Sequence, residues 1–131
     1  MSEDVLTRLP ESDRNYLAAK EYHFEVRESG NRMHLVIKDF EFPDYYRPQV
    51  ADLMIIIPSA YPNSNPDMFW TTPDLKLKNG AWPERAKHHK NFLGQSWQRW
   101  SRHFAKKSWR PGVDGMRTYL GAIKRELDRG R

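Results

Sequence analysis

Cysteine is absent from all 131 residues. Its absence excludes disulfides, thiolate-bound zinc, iron–sulfur clusters and any thiol nucleophile, and it suits a cytoplasmic chain. Long apolar runs are also missing. The longest, Leu53 to Ile57, is a quarter of the roughly 20 residues a membrane helix needs. The first ten residues carry two acids and no apolar stretch, so no secretory signal is expected. No glycine-rich phosphate loop occurs, and no nucleotide or other cofactor is expected. Repeats, low-complexity tracts and long linkers are lacking, so residues 1–131 read as one domain with one modest core.

Acidic residues are scarce in the second part of the chain. Residues 1–84 carry nine basic and fourteen acidic side chains, whereas residues 85–131 carry thirteen basic and three acidic ones. The net charge of +5 therefore conceals an acidic half and a strongly basic one. A basic half attracts nucleic acid, an anionic membrane or an acidic protein face, and charge alone does not choose among them. Five Trp, six Tyr and six Phe mark a folded chain rather than a disordered polyelectrolyte.

The segment Glu11 to Lys20, behind Pro10, predicts a short helix. Tyr22, Phe24 and Val26 alternate with polar residues, which predicts a half-buried strand. Ser29-Gly30-Asn31 is a turn, because Gly and Asn tolerate positive φ. Met33, Leu35 and Ile37 resume the alternation up to Pro43. Val50 to Ile57 reads as a central strand buried on both faces, and Asp67 to Thr71 as a short fourth strand. From Pro73 to Ser108 no period survives, and that length is unusual for a plain connection. A final helix follows, with Val113, Met116, Leu120, Ile123 and Leu127 on one apolar stripe. Asp114 is placed to stabilise its positive end, and Arg125, Arg129 and Arg131 its negative end. The fold class is α+β: an N-terminal helix, a four-stranded antiparallel meander, a long loop and a C-terminal helix.

Two stretches within this order are specific. One is Ile57-Pro58-Ser59-Ala60-Tyr61-Pro62-Asn63-Ser64-Asn65-Pro66-Asp67-Met68-Phe69, a strand end, Pro, Tyr-Pro, a spacer, Pro and a strand. The other is Trp109-Arg110-Pro111 before the apolar helix. Over roughly residues 11–127 the chain resembles the ubiquitin-conjugating (E2) superfamily. Trp97-Gln98-Arg99-Trp100-Ser101-Arg102-His103 is similar to the central motif of its bacterial group, the prokaryotic E2 family E. The last two helices of most eukaryotic members have no counterpart here. The resemblance implies a long active-site loop and an acyl (ubiquitin-like protein) transferase. It also implies an E1-like activating enzyme and a ubiquitin-like protein as partners, a JAB-type protease in the same pathway, and a bacterial setting of the antiphage-defence kind. ATP would belong to the activating enzyme.

In that superfamily a cysteine carries the acyl group a fixed distance before the Trp of Trp-x-Pro. Eight residues before Trp109 stands Ser101, its oxygen analogue. The resemblance thus implies an oxyester on Ser101, or a serine left by replacing a cysteine, which a Cys codon in the native gene would reveal. A serine hydroxyl needs a positioned base. His103 is the nearest imidazole, and His88 and His89 are alternatives through space. Asn91, in His88-His89-Lys90-Asn91, is the nearest likeness to the family's oxyanion-stabilising Asn. A zinc reading of His88, His89 and His103 is poor, since adjacent histidines rarely share one metal. Two other readings stand beside the carrier. One is an E2 variant without a nucleophile, binding a ubiquitin-like protein or E1. The other is a nucleic-acid domain, with Trp97, Trp100 and Trp109 stacking bases among Arg99, Arg102, Lys106, Lys107 and Arg110. The alternative role for these tryptophans is to anchor the loop on the sheet. The loop Asn63 to Pro66 is a candidate partner surface.

Overall fold

A computed structural model describes residues 8–104 and 108–131; Lys106 and Lys107 of the basic Trp-rich segment lie outside the described residues. Helix α1 spans Glu11–Ala19 and buries Leu17 and Asp13. Strand β1 (His23–Ser29) pairs antiparallel with β2 (Arg32–Glu41). Gly30 and Asn31 form the two-residue connection at φ 58° and 63°, the left-handed geometry a tight hairpin requires. The strand pattern of β2 is broken between Ile37 and Phe40, where Asp39 takes φ 51° and its N–H donates to Asp52 Oδ1 at 3.0 Å. After the two-residue strand β3 (Tyr46–Arg47) come β4 (Val50–Ile57) and β5 (Phe69–Thr72), each antiparallel to its neighbour. Strands β1, β2, β4 and β5 thus lie side by side in antiparallel pairs.

The sheet continues past it. Strands β7 (His88–Phe92) and β8 (Gln95–Trp100) form a hairpin inside the stretch expected to be loop, and β8 pairs with β5. The full order is β1-β2-β4-β5-β8-β7, while β6 (Lys76–Leu77) pairs only with β3. Two physical causes hid this hairpin. Its turn is Leu93-Gly94, both at positive φ, and Leu is an uncommon residue there. Strand β8 also buries both faces, so no apolar-polar alternation remains. Trp97 is buried on one face, and Gln98, fully buried on the other, binds Thr71 Oγ1, the Leu75 N–H and the carbonyls of Leu75 and Ala86.

Helix α2 (Met116–Leu127) covers one face of the sheet. Met116, Tyr119, Leu120, Ile123 and Leu127 pack against Leu35, Leu53, Ile55, Phe69 and Trp100. On the opposite face Val36, Met54, Trp70 and Trp97 form a smaller cluster, capped by Phe92, whose ring centroid is 4.9 Å from that of Trp70. Two expectations about α2 change. Val113 precedes the helix and is exposed, because the apolar stripe starts at Met116. Asp114 does not serve the helix end: its Oδ2 accepts the Arg110 N–H, holding the preceding turn. The helix start is served from α1 instead. Asp13 Oδ1 accepts the Met116 N–H at 3.0 Å, and its Oδ2 accepts the Tyr61 hydroxyl at 2.5 Å. Gly115 lets that carboxylate approach, since a Cβ there would lie 2.6 Å from Asp13 Oδ1. Among the described residues no helix is long and apolar enough to cross a membrane.

Candidate functional site

Ser101 is the first residue after β8. Its N–H donates to the Arg85 carbonyl at 3.0 Å, and the Arg102 N–H donates to the Trp100 carbonyl at 2.8 Å. The second bond closes a three-residue γ-turn with Ser101 at its apex, so the half-buried serine stands where the chain reverses.

Both neighbours of Ser101 are buried and held. The Trp100 ring stacks on Phe69 at 5.1 Å, and its indole N–H donates to Thr71 Oγ1. The Arg102 guanidinium lies 4.9 Å from the Trp100 ring, only 4% exposed. It donates to the Glu84 carbonyl from Nε and Nη2 and to the Arg131 carbonyl, and its Nη1 lies 3.7 Å from Glu126. Burial lowers the Arg102 pKa from its ordinary value, against the pull of Tyr46 and Glu126. A turn clamped on both sides is a preorganised mount for its apex residue.

His103, two residues after Ser101, is held by a different partner. Its Nδ1 lies 2.8 Å from Asp67 Oδ2, and the ring is largely exposed. In the neutral imidazole this contact fixes the tautomer: Nδ1 donates to the carboxylate and Nε2 becomes the acceptor. Asp67 was not singled out for chemistry in the sequence, where it reads only as the start of a short strand. The other oxygen, Asp67 Oδ1, is buried without a hydrogen-bond partner among the described residues. Beyond His103, Phe104 packs edge-on to Tyr119, whose hydroxyl donates to the Met68 carbonyl. The Trp109 indole N–H donates to the Pro62 carbonyl. The two stretches that carry the resemblance, 57–69 and 109–111, thus meet around the segment bearing Ser101. A groove of about 480 Å³ opens beside them, lined among others by Phe104, Trp109, Asp114, Arg125, Glu126 and Arg129.

The remaining candidates sit on β7. His88 pairs with Arg99, two residues short of Ser101. His89 pairs with Gln98, and its Nε2 lies 2.8 Å from Asp74 Oδ1, with its ring against Trp82. As neighbours on a strand, His88 and His89 point to opposite faces, which keeps them from one metal ion. Asn91 pairs with Ser96, five residues up β8 from Ser101, or about 16 Å at the rise of a strand. The structure thus ties His103, two residues after Ser101, to Asp67 and does not bring Asn91 to that segment. Trp97 and Trp100 are buried, leaving neither indole face for a base.

An α+β fold with an antiparallel sheet packed on one helix, and a Tyr-Pro stretch tied to Trp-x-Pro, is compatible with an E2-like protein. The model of the prokaryotic E2 family E matches residues 9–130, and the chain belongs to that family. No curated protein and no solved structure matches it.

Proposed function

We propose that the protein is an E2-like carrier that accepts the C-terminal acyl group of a ubiquitin-like protein from an E1-like enzyme as an oxyester on Ser101. The observation carrying this reading is the clamped γ-turn that presents Ser101 eight residues before Trp109, with the Asp67–His103 pair two residues on. In the proposed step the Oγ attacks the carbonyl carbon of the terminal residue, which the E1 holds as a thioester. An O–C bond forms and the C–S bond breaks. The Oγ proton passes to His103 Nε2 and from there to the departing thiolate, with Asp67 stabilising the imidazolium in between. His88 and His89 are alternative bases, His88 being the nearer along the sheet; Asn91 would need a rearranged hairpin to stabilise the oxyanion. A JAB-type protease would cleave the resulting conjugates. An oxyester aminolyses more slowly than a thioester, so a hydroxyl acceptor fits this chemistry as well as an amine.

One observation favours a second reading. Among the described residues Ser101 makes its hydrogen bond through the backbone, and no base is preset on its hydroxyl. This suits a non-catalytic E2 variant that binds the ubiquitin-like protein or the E1. Mixing the protein with the activating enzyme, the ubiquitin-like protein and ATP separates the two. The carrier gives an adduct that survives thiol, is cleaved by mild base and is lost in Ser101→Ala. No adduct beside a fully active E1 sinks the carrier, and a Ser101→Ala variant with unchanged partner binding and pathway output supports the binding module.

A further inference from the structure

Strand β7 is an outer edge of the six-stranded sheet, and its residues His88, His89, Lys90 and Asn91 are exposed. An edge strand offers a row of outward N–H and C=O groups to any extended chain, and proteins normally neutralise or cover such a row. The opposite edge, β1, is neutralised within the chain: Arg27 pairs with Glu25, and Glu28 with Arg8. The β7 edge is different. No acidic residue occurs from Arg85 to Val113. Among the described residues Lys87, Lys90 and Arg99 form no ion pair, while Arg85 faces Glu84 and His89 faces Asp74. The groove beside α2, by contrast, mixes Arg125 and Arg129 with Asp114 and Glu126 and presents no field of one sign.

From this we propose that the β7 edge is a strand-addition site for an acidic extended segment of the ubiquitin-like partner, the segment that leads into its C-terminal tail. Like charges on Lys87 and Lys90 disfavour a second copy of this chain, while backbone pairing favours an extended peptide over a folded face. His88 and Lys90 share one face of β7 with Arg99 of β8, so acidic residues at alternate positions of the incoming strand lie opposite them.

The register supplies the direction. Strand β7 runs antiparallel to β8, so a chain adding antiparallel to β7 runs along β8 and leaves at the His88 end, level with the exit to Ser101. Two strand spacings separate it from β8, roughly 10 Å, which about three extended residues span. The last three residues of the tail would cross to Ser101, and the acidic segment would lie immediately before them. This placement of the tail rests on the carrier reading; the edge site itself does not.

The test uses the full chain and the peptide acetyl-Glu-Thr-Glu-Val-Gly-Gly, with amide hydrogen exchange and binding both measured. The edge site predicts that alternate β7 amides slow about tenfold or more. It also predicts that Lys87→Glu with Lys90→Glu weakens binding about tenfold, and that a peptide with Lys in place of Glu restores it on that variant. Unchanged amide spectra for α2 and β1–β5 establish that the variant is folded. The proposal is overturned if β7 amides gain no protection, if the Lys peptide binds the wild type equally well, or if protection grows with protein concentration alone. It is likewise overturned if single-stranded DNA protects these amides at lower concentration than the peptide. Adduct assays keep the two readings apart. Wild-type adduct formation in the double variant overturns the placement of the tail along β7 and leaves the carrier intact, whereas β7 protection without any adduct upholds the edge and removes the carrier.

Discussion

Ser101 is held by its neighbours more than by its own contacts, and the chemistry proposed for it turns on Asp67. Asp67→Asn keeps the shape and removes the charge that would stabilise a His103 imidazolium. Adduct formation should fall by about tenfold, less than the roughly 100- to 10,000-fold that a positioned base itself contributes, while binding of the ubiquitin-like protein is unchanged. Single-turnover gels over a pH series measure this, and a rate equal to wild type across the series would remove Asp67 from the reaction. His34 provides an independent pH test. It is 2% exposed, Nδ1 has no partner among the described residues, and burial lowers its pKa below the ordinary value. The unfolded chain then binds the proton more readily than the folded one. The contribution of His34 is therefore intact above about pH 6.5 and is lost as the pH falls below that value. Urea unfolding at pH 7.5 and pH 5.5 should show a smaller loss in His34→Gln than in the wild type.

At the level of elements, α1, β5 and α2 are joined through one buried carboxylate and the tyrosine before β5. Asp13→Ala leaves the Met116 N–H and the Tyr61 hydroxyl unpaired at a buried junction, which should cost about 2–4 kcal/mol of unfolding free energy. Gly115→Ala forces a Cβ into the same carboxylate and should cost about 1–3 kcal/mol. Denaturant titration followed by far-UV circular dichroism reads both. Trp100→Ala should be harsher, about 3–5 kcal/mol, because the indole fills the space between Phe69 and Tyr46 and supports the turn at Ser101. Elements with one buried face were legible in the sequence. The alternation of Phe24 and Val26, the Gly30-Asn31 turn and the Met116–Leu127 stripe each signal their structure locally. The β7-β8 hairpin was illegible, because its buried polar Gln98 stands where an apolar residue would announce a strand, and its turn uses Leu93.

Across the molecule, the basic half of the chain is not spread evenly. Part of it is consumed internally: Arg102 ties the carbonyls of Glu84 and Arg131 to the turn, and Arg131 pairs with Glu84 and Glu126. Part remains on the β7 edge, facing outward. The tryptophans divide in a similar way. Trp97 and Trp100 serve the two cores, Trp109 pins the resemblance-bearing stretches together, and Trp82 stays exposed beside His89. The nucleic-acid reading treated the aromatics and the cations of this region as one surface, whereas among the described residues Trp97, Trp100 and Arg102 are buried.

Some properties followed from the sequence alone because they depend on residue type and spacing between near neighbours. They include the absence of thiol chemistry, the helix at each end, the first four strands of the sheet and the serine eight residues before Trp109. Others depend on contacts between residues far apart in the chain, and only the tertiary structure decided them. Asp67 reaches His103 across 36 positions, and Asp13 reaches the start of α2 across 103. Asn91, near Ser101 in sequence, is carried away from it by the hairpin. Spacing along the chain measures nearness only within one element, and across a sheet the register of the strands replaces it.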